Sequence, residues 1–145
     1  MNATLEKFGH PASLIRDYRH WCVLLRPAQV TLGALIVGAK SEATAFSELP
    51  QEAFTELHQV TGDLERALGV FRPFGRINYL MLMMVDPHVH FHVLPRYAVS
   101  QDFEGVAFPD PGWPGVPDLK SAPVLTEFQQ SSLHGALLDA FRLSG

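Results

Sequence analysis

Residues 86–96 read Asp-Pro-His-Val-His-Phe-His-Val-Leu-Pro-Arg, and within them His88, His90 and His92 alternate with Val89, Phe91 and Val93. Strict alternation suits an extended strand, in which successive side chains point to opposite faces and alternate residues lie roughly 6.5–7 Å apart along one face. One face of such a strand is apolar and can join a core, while the other presents a row of imidazoles. A half-buried strand has no need of histidine, which is not a favoured strand residue. The row points to chemistry instead. His-x-His on a strand is a chelate for zinc or copper, and imidazole is equally a nucleophile or proton carrier tunable near neutral pH. A metal site asks for a further carboxylate, His or Cys, which can come from anywhere in the chain, so spacing leaves both readings open.

The segment His88-Val89-His90-Phe91-His92-Val93-Leu94 resembles the signature of the histidine triad family of nucleotide hydrolases and transferases: His-x-His-x-His, then two apolar residues. Pro95-Arg96 resembles the continuation in the branch that includes the diadenosine polyphosphate hydrolases. Beyond this segment the resemblance covers roughly residues 13–97 by element order. It implies an α+β fold: a mainly antiparallel five-stranded sheet with helices on one face, one central and one C-terminal. It also implies a homodimer formed by extending the sheet.

The chemistry implied is a covalent two-step displacement. His90 would attack the α-phosphorus of a nucleotide, and water or another acceptor would then release the nucleotide from the imidazole. His88 and His92 would donate to phosphate oxygens, and one of them would help protonate the leaving group. Arg96 can offer a planar fork to phosphate or pair with a nearby carboxylate. Asn78 is a candidate substrate contact from the preceding strand. The scheme demands no metal and no cofactor. Two departures from the family pattern bear on specificity. Gly33-Ala34 stands where the second strand usually opens with Gly-His. Met83-Met84-Val85-Asp86 stands where Gly-Gln-x-Val usually precedes the first histidine, so Met84 puts a thioether in place of an amide.

The expected function is therefore a nucleotide phosphohydrolase or nucleotidyltransferase. Its substrate would be a dinucleoside polyphosphate or a nucleoside phosphoramidate-like compound. Two alternatives stand beside it: a nucleotide-binding protein with little turnover, and a metal-binding module built on His88, His90 and His92.

The 145 residues suit one domain, 1–145, long enough for a core without staples. The net charge of −4 and the lack of a Lys/Arg run argue against a nucleic-acid partner. No apolar run reaches the length of a membrane span. The single cysteine, Cys22, lies in an apolar stretch and reads as a buried, inert thiol in a reducing compartment, so a cytoplasmic protein is expected.

Periodicity supplies the remaining elements. Tyr18 to Leu25 and Leu32 to Ala39 read as antiparallel strands joined by the Pro27-containing loop, with His10 to Ser13 a loop leading into the first. Ala53, Phe54, Leu57, Val60, Leu64, Ala67 and Leu68 line one side of a helix that opens at Pro50 and that Gly69 is placed to end. The apolar run 76–85 reads as a central strand covered on both faces, with 81–84 as adaptable core packing. Residues 98–123, rich in Pro and Gly, read as a stiff irregular loop. In it Trp113 either pins the loop to its own core or stacks on a base. A capping box at Thr126 to Gln129 opens a last helix, 125–143, with Phe128, Leu133, Ala136, Leu137, Ala140 and Phe141 on its apolar side. His58 and His134 are expected at the surface.

Overall fold

The middle of the fold is a pair of strands rich in aliphatic residues, β2 (Trp21–Leu25) and β3 (Leu35–Ala39), both buried along their whole length. The structure is a computed structural model that describes residues 2–145. Around that pair stand α1 (Ala3–Lys7), β1 (Leu14–Asp17), α2 (Gln51–Phe71), β4 (Arg76–Leu80), β5 (His90–Arg96), β6 (Gln101–Phe103), β7 (Val106–Phe108) and α3 (Glu127–Ser144). Five strands form one antiparallel sheet in the order β1-β2-β3-β5-β4, and β6-β7 make a small separate hairpin. This is the expected α+β architecture.

The two faces of the sheet are covered differently. On one, Val60, Leu64, Ala67 and Leu68 of α2 and Leu133, Leu137 and Phe141 of α3 join Trp21, Val23, Leu25, Leu35, Val37 and Val93 in the main core. On the other, Leu5 of α1 packs with Cys22, Leu24 and Ile36, while Leu119 and Ala122 of the long loop pack against Ala34 and Leu94. Burial pushes the Cys22 thiol up to about 12, so it stays protonated and inert.

Several expectations need correcting. The 76–85 run is no central strand: β4 is an edge of the sheet and ends at Leu80. A near-continuous apolar run does not say how many neighbours a strand has. Met84 and Val85 are 75% and 84% exposed, although Met81 does pack on the core. Gly69 lies inside α2, which continues to Phe71 and stops because Arg72 precedes Pro73 and is extended. Strand β1 and helix α1 occupy stretches that carried no clear periodicity. The Pro/Gly-rich segment contains the β6-β7 hairpin, turning at Glu104-Gly105 with both residues at positive φ. The Thr126 capping box is present, but Phe128 is 71% exposed. His134 is half-buried, its Nε2 bonded to the Leu14 carbonyl at 2.8 Å. His58 is exposed.

Candidate active site

Antiparallel pairing sets the histidine face. In β5, His90 lies opposite Gly38 of β3, and His92 lies between Ile36 of β3 and Leu80 of β4. Both imidazoles are buried, with ring centroids 5.1 Å apart. The strand begins at His90, so His88 precedes it as the last part of an irregular approach.

Each ring has distinct partners. His90 Nδ1 is 2.7 Å from the carbonyl oxygen of His88. A carbonyl only accepts, so Nδ1 carries a proton, and in the neutral ring Nε2 is the nitrogen with the lone pair. That Nε2 is buried and has no hydrogen-bond partner among the described residues. His92 Nδ1 accepts from Arg26 Nε at 3.1 Å. Burial, then the Arg26 charge, then His90 lower the His92 pKa to about 4, against an opposing pull from Asp86, so the ring is neutral at pH 7. His88 Nε2 lies 3.1 Å from a Glu42 carboxylate oxygen and Nδ1 lies 2.8 Å from the Thr4 hydroxyl.

A roof covers the pair, and nothing in the sequence reading anticipated it. Asn2 caps α1 by accepting from the Leu5 N–H, and its own amide donates to the carbonyls of Ala39 and Ser41. Leu5 fills the notch left by Gly38, where a Cβ would come within 2.2 Å of Leu5 Cδ2. Lys7 pairs with Asp86 at 2.8 Å. These ties bring Phe8 over both imidazoles, with ring centroids 5.7 Å from His90 and 5.6 Å from His92. A cap residue followed at short spacing by Leu5 and Phe8 is the one signal the sequence offered.

Asn78 and Arg96 lie on the histidine side of the sheet, but they meet each other rather than the imidazoles. Arg96 is 2% exposed, and its Nε and Nη2 grip both oxygens of Asp110 at 2.5 and 2.8 Å. Its Nη1 donates to Asn78 Oδ1 at 2.8 Å and to the Gly115 carbonyl at 2.9 Å. The guanidinium thus fastens the 98–123 loop to the sheet. Trp113 fastens it a second time, packing on Gly75 and beneath the Arg76 guanidinium at the start of β4, away from the histidines. Ala34, standing where the family pattern has histidine, is fully buried against Val30 and Leu94.

Among the described residues no group of three or more His, Cys, Asp or Glu side chains is arranged to hold a metal ion. No described helix is long and apolar enough to cross a membrane. A cleft of about 490 Å³ lies between the turn at residues 9–13 and the first turns of α3, lined by Gly9, Ser13, Pro27, Thr126 and His134 among others and by none of His88, His90 and His92.

No protein-family model and no curated protein sequence matches this chain. Solved structures do. A histidine triad protein from Marinobacter aquaeolei has 24% identity, with 97% of this chain and 96% of that one covered and a TM-score of 0.72. A histidine triad protein from Sinorhizobium meliloti has 20% identity, coverage of 97% and 95%, and a TM-score of 0.72. A hypothetical histidine triad nucleotide-binding protein from Sulfolobus tokodaii has 16% identity, coverage of 90% and 84%, and a TM-score of 0.66. Similarity at this level of identity speaks for architecture, and the architecture of this chain is that of the histidine triad proteins.

Proposed function

We propose that this protein is a nucleotide hydrolase or nucleotidyltransferase that uses His90 as its nucleophile. Its substrate would be a dinucleoside polyphosphate or a nucleoside phosphoramidate-like compound, in keeping with the Pro95-Arg96 resemblance. The observation that carries the reading is the setting of His90: Nδ1 faces the His88 carbonyl, and Nε2 is buried with no hydrogen-bond partner among the described residues. In the reaction Nε2 forms a bond to the α-phosphorus, and the bond from phosphorus to the leaving oxygen or nitrogen breaks, its electron pair departing with the leaving group. A water molecule then displaces the imidazole, losing a proton as the nucleotide leaves. His92, neutral and beside His90, donates to the phosphate oxygens as charge gathers on them.

In this reading His88 orients His90 through its carbonyl, while Glu42 and Thr4 hold its ring. Arg96 and Asn78 act one step back from the substrate, as the clamp of the loop. Phe8 packs against both imidazoles, and in this reading its side chain swings aside to let a phosphate reach the buried Nε2. Two copies pairing across the free edge of β4 would cover Met84 and Val85, giving a dimer mass in light scattering. A free, inert thiol and nucleotide substrates fit a cytoplasmic setting.

The closed roof also favours a second reading, a nucleotide-binding protein with little turnover. Chromatography of products from diadenosine polyphosphates and adenosine phosphoramidate, for the wild type and His90→Ala, separates the two. The enzyme reading predicts AMP release that disappears in His90→Ala. Nucleotide binding with no AMP from either substrate would establish the second reading instead.

A further inference from the structure

Arg26 is a buried cation on the histidine side of the sheet, just past the end of β2, and neither the family pattern nor the periodicity singled it out. Its amide bonds the Ala34 carbonyl at 3.0 Å, continuing the register in which Leu25 faces Leu35. Arg26 and Ala34 are therefore cross-strand neighbours. To reach His92, the Arg26 side chain must cross β3, a distance of about 10 Å from β2 to β5 at ordinary strand spacing. Ala34 offers only a methyl group along that path. The small residue that departs from the family pattern and the arginine that spans the gap belong to one arrangement.

The arginine is held at both ends. Gln29, itself buried, donates to the carbonyls of Arg26 and Ala34 at 2.8 Å each and accepts from the Gly33 N–H at 2.8 Å, knitting the β2–β3 turn together. Gly33 sits there at φ +90, a conformation that favours glycine. At the far end Arg26 Nη1 donates to the Ala28 carbonyl at 2.6 Å, which leaves Nε aimed at His92 Nδ1.

The chemistry of that contact has one solution. A guanidinium has donors and no acceptor, so the His92 nitrogen facing it must carry the lone pair. The proton of the neutral His92 ring is then on Nε2. His90 has the opposite arrangement, because its Nδ1 faces a carbonyl. We propose that Arg26 is a positioning residue that locks His92 as the Nε2–H tautomer, so that the paired imidazoles present a nucleophilic lone pair and a phosphate-directed proton side by side. The inference deepens the nucleotidyl-transfer reading of the same site. A carbonyl at this point would have reversed the His92 tautomer, and a histidine could have taken either role; arginine allows one.

Long-range ¹H–¹⁵N spectra of the histidine-labelled full chain, recorded without nucleotide, test this directly. In the wild type His92 is expected as the Nε2–H tautomer and His90 as the Nδ1–H tautomer. His92 should protonate only near pH 4. Burial of the ring lowers this value most, and the charged groups that act on it are Arg26 from the end of β2, His90 on the same strand and, in the opposite direction, Asp86 in the approach to it. Arg26→Met removes the donor and the charge, so His92 should show both tautomers and its pKa should rise toward the ordinary histidine value. Arg26→Lys keeps a donor and should retain the wild-type tautomer. A wild-type His92 carrying its proton on Nδ1, or a His92 spectrum unchanged in Arg26→Met, overturns the proposal. So does an Arg26→Lys spectrum that matches Arg26→Met. The nitrogen spectra decide the role of Arg26 whether or not the chain cleaves nucleotides, whereas the His90→Ala product analysis decides the reaction. Where nucleotide is turned over, Arg26→Met should lower kcat by about 10²-fold, the usual effect of losing an aligned donor, with a smaller change in KM.

Discussion

At the scale of single residues, the face of β5 divides into a half proposed to react and a structural half. His90 and His92 form the first, and Leu94 and Arg96 the second. Arg96 and Asp110 are both almost wholly buried, at 2% and 4% of their side-chain surface. A buried ion pair contributes little relative to a well-packed apolar pair, but removing one partner strands the other charge in a poorly solvated site. Asp110→Ala should therefore cost about 3–5 kcal/mol of stability. Arg96→Met combined with Asp110→Ala should recover much of that loss, as read by chemical denaturation. Equal destabilisation in the single and double variants would contradict the clamp. The sequence left Arg96 with two roles, and the choice turned on Asp110, fourteen residues away in a segment without periodicity.

At the scale of elements, the strand that carries the histidines was the most legible part of the chain, since alternation has a direct geometric meaning. Helix α2 was nearly as clear, because its 3.6-residue apolar stripe is long. Helix α1 was not: five residues are too few to show a period, and its placement comes from long-range ties, Asn2 to the carbonyls of Ala39 and Ser41 and Leu5 to Gly38. That element is nonetheless the roof of the candidate site. If Phe8 shields His90 Nε2, then Phe8→Ala should make His90 react faster with diethyl pyrocarbonate, an imidazole acylating reagent. Peptide mass mapping would follow the rate, and exposed His58 supplies an internal reference whose rate should not change. Equal His90 rates in both proteins would show that Phe8 does not limit access.

At the scale of the whole molecule, the sheet separates the main core from the proposed chemistry. The face under α2 and α3 holds the main core, and the opposite face holds the imidazoles between two thin covers, α1 and the 98–123 loop. Sequence pattern showed that such a sheet exists. It did not show that β4 is an edge, because the apolar residues 79–85 mask the alternation of Arg76 and Asn78 with Ile77 and Tyr79 that marks a half-exposed strand. It did not reveal Arg26 either, whose partner is 66 residues away and separated from it by a whole strand. The central claim is that His90 Nε2 forms a bond to phosphorus. The most direct test is rapid quenching of the wild-type chain with a dinucleoside polyphosphate, followed by peptide mass spectrometry under conditions that preserve phosphoramidate bonds. A nucleotidyl group on His90, present in the first turnover and lost as AMP appears, is the predicted result. AMP released with no modified histidine at any time would contradict the claim and assign the attack to water.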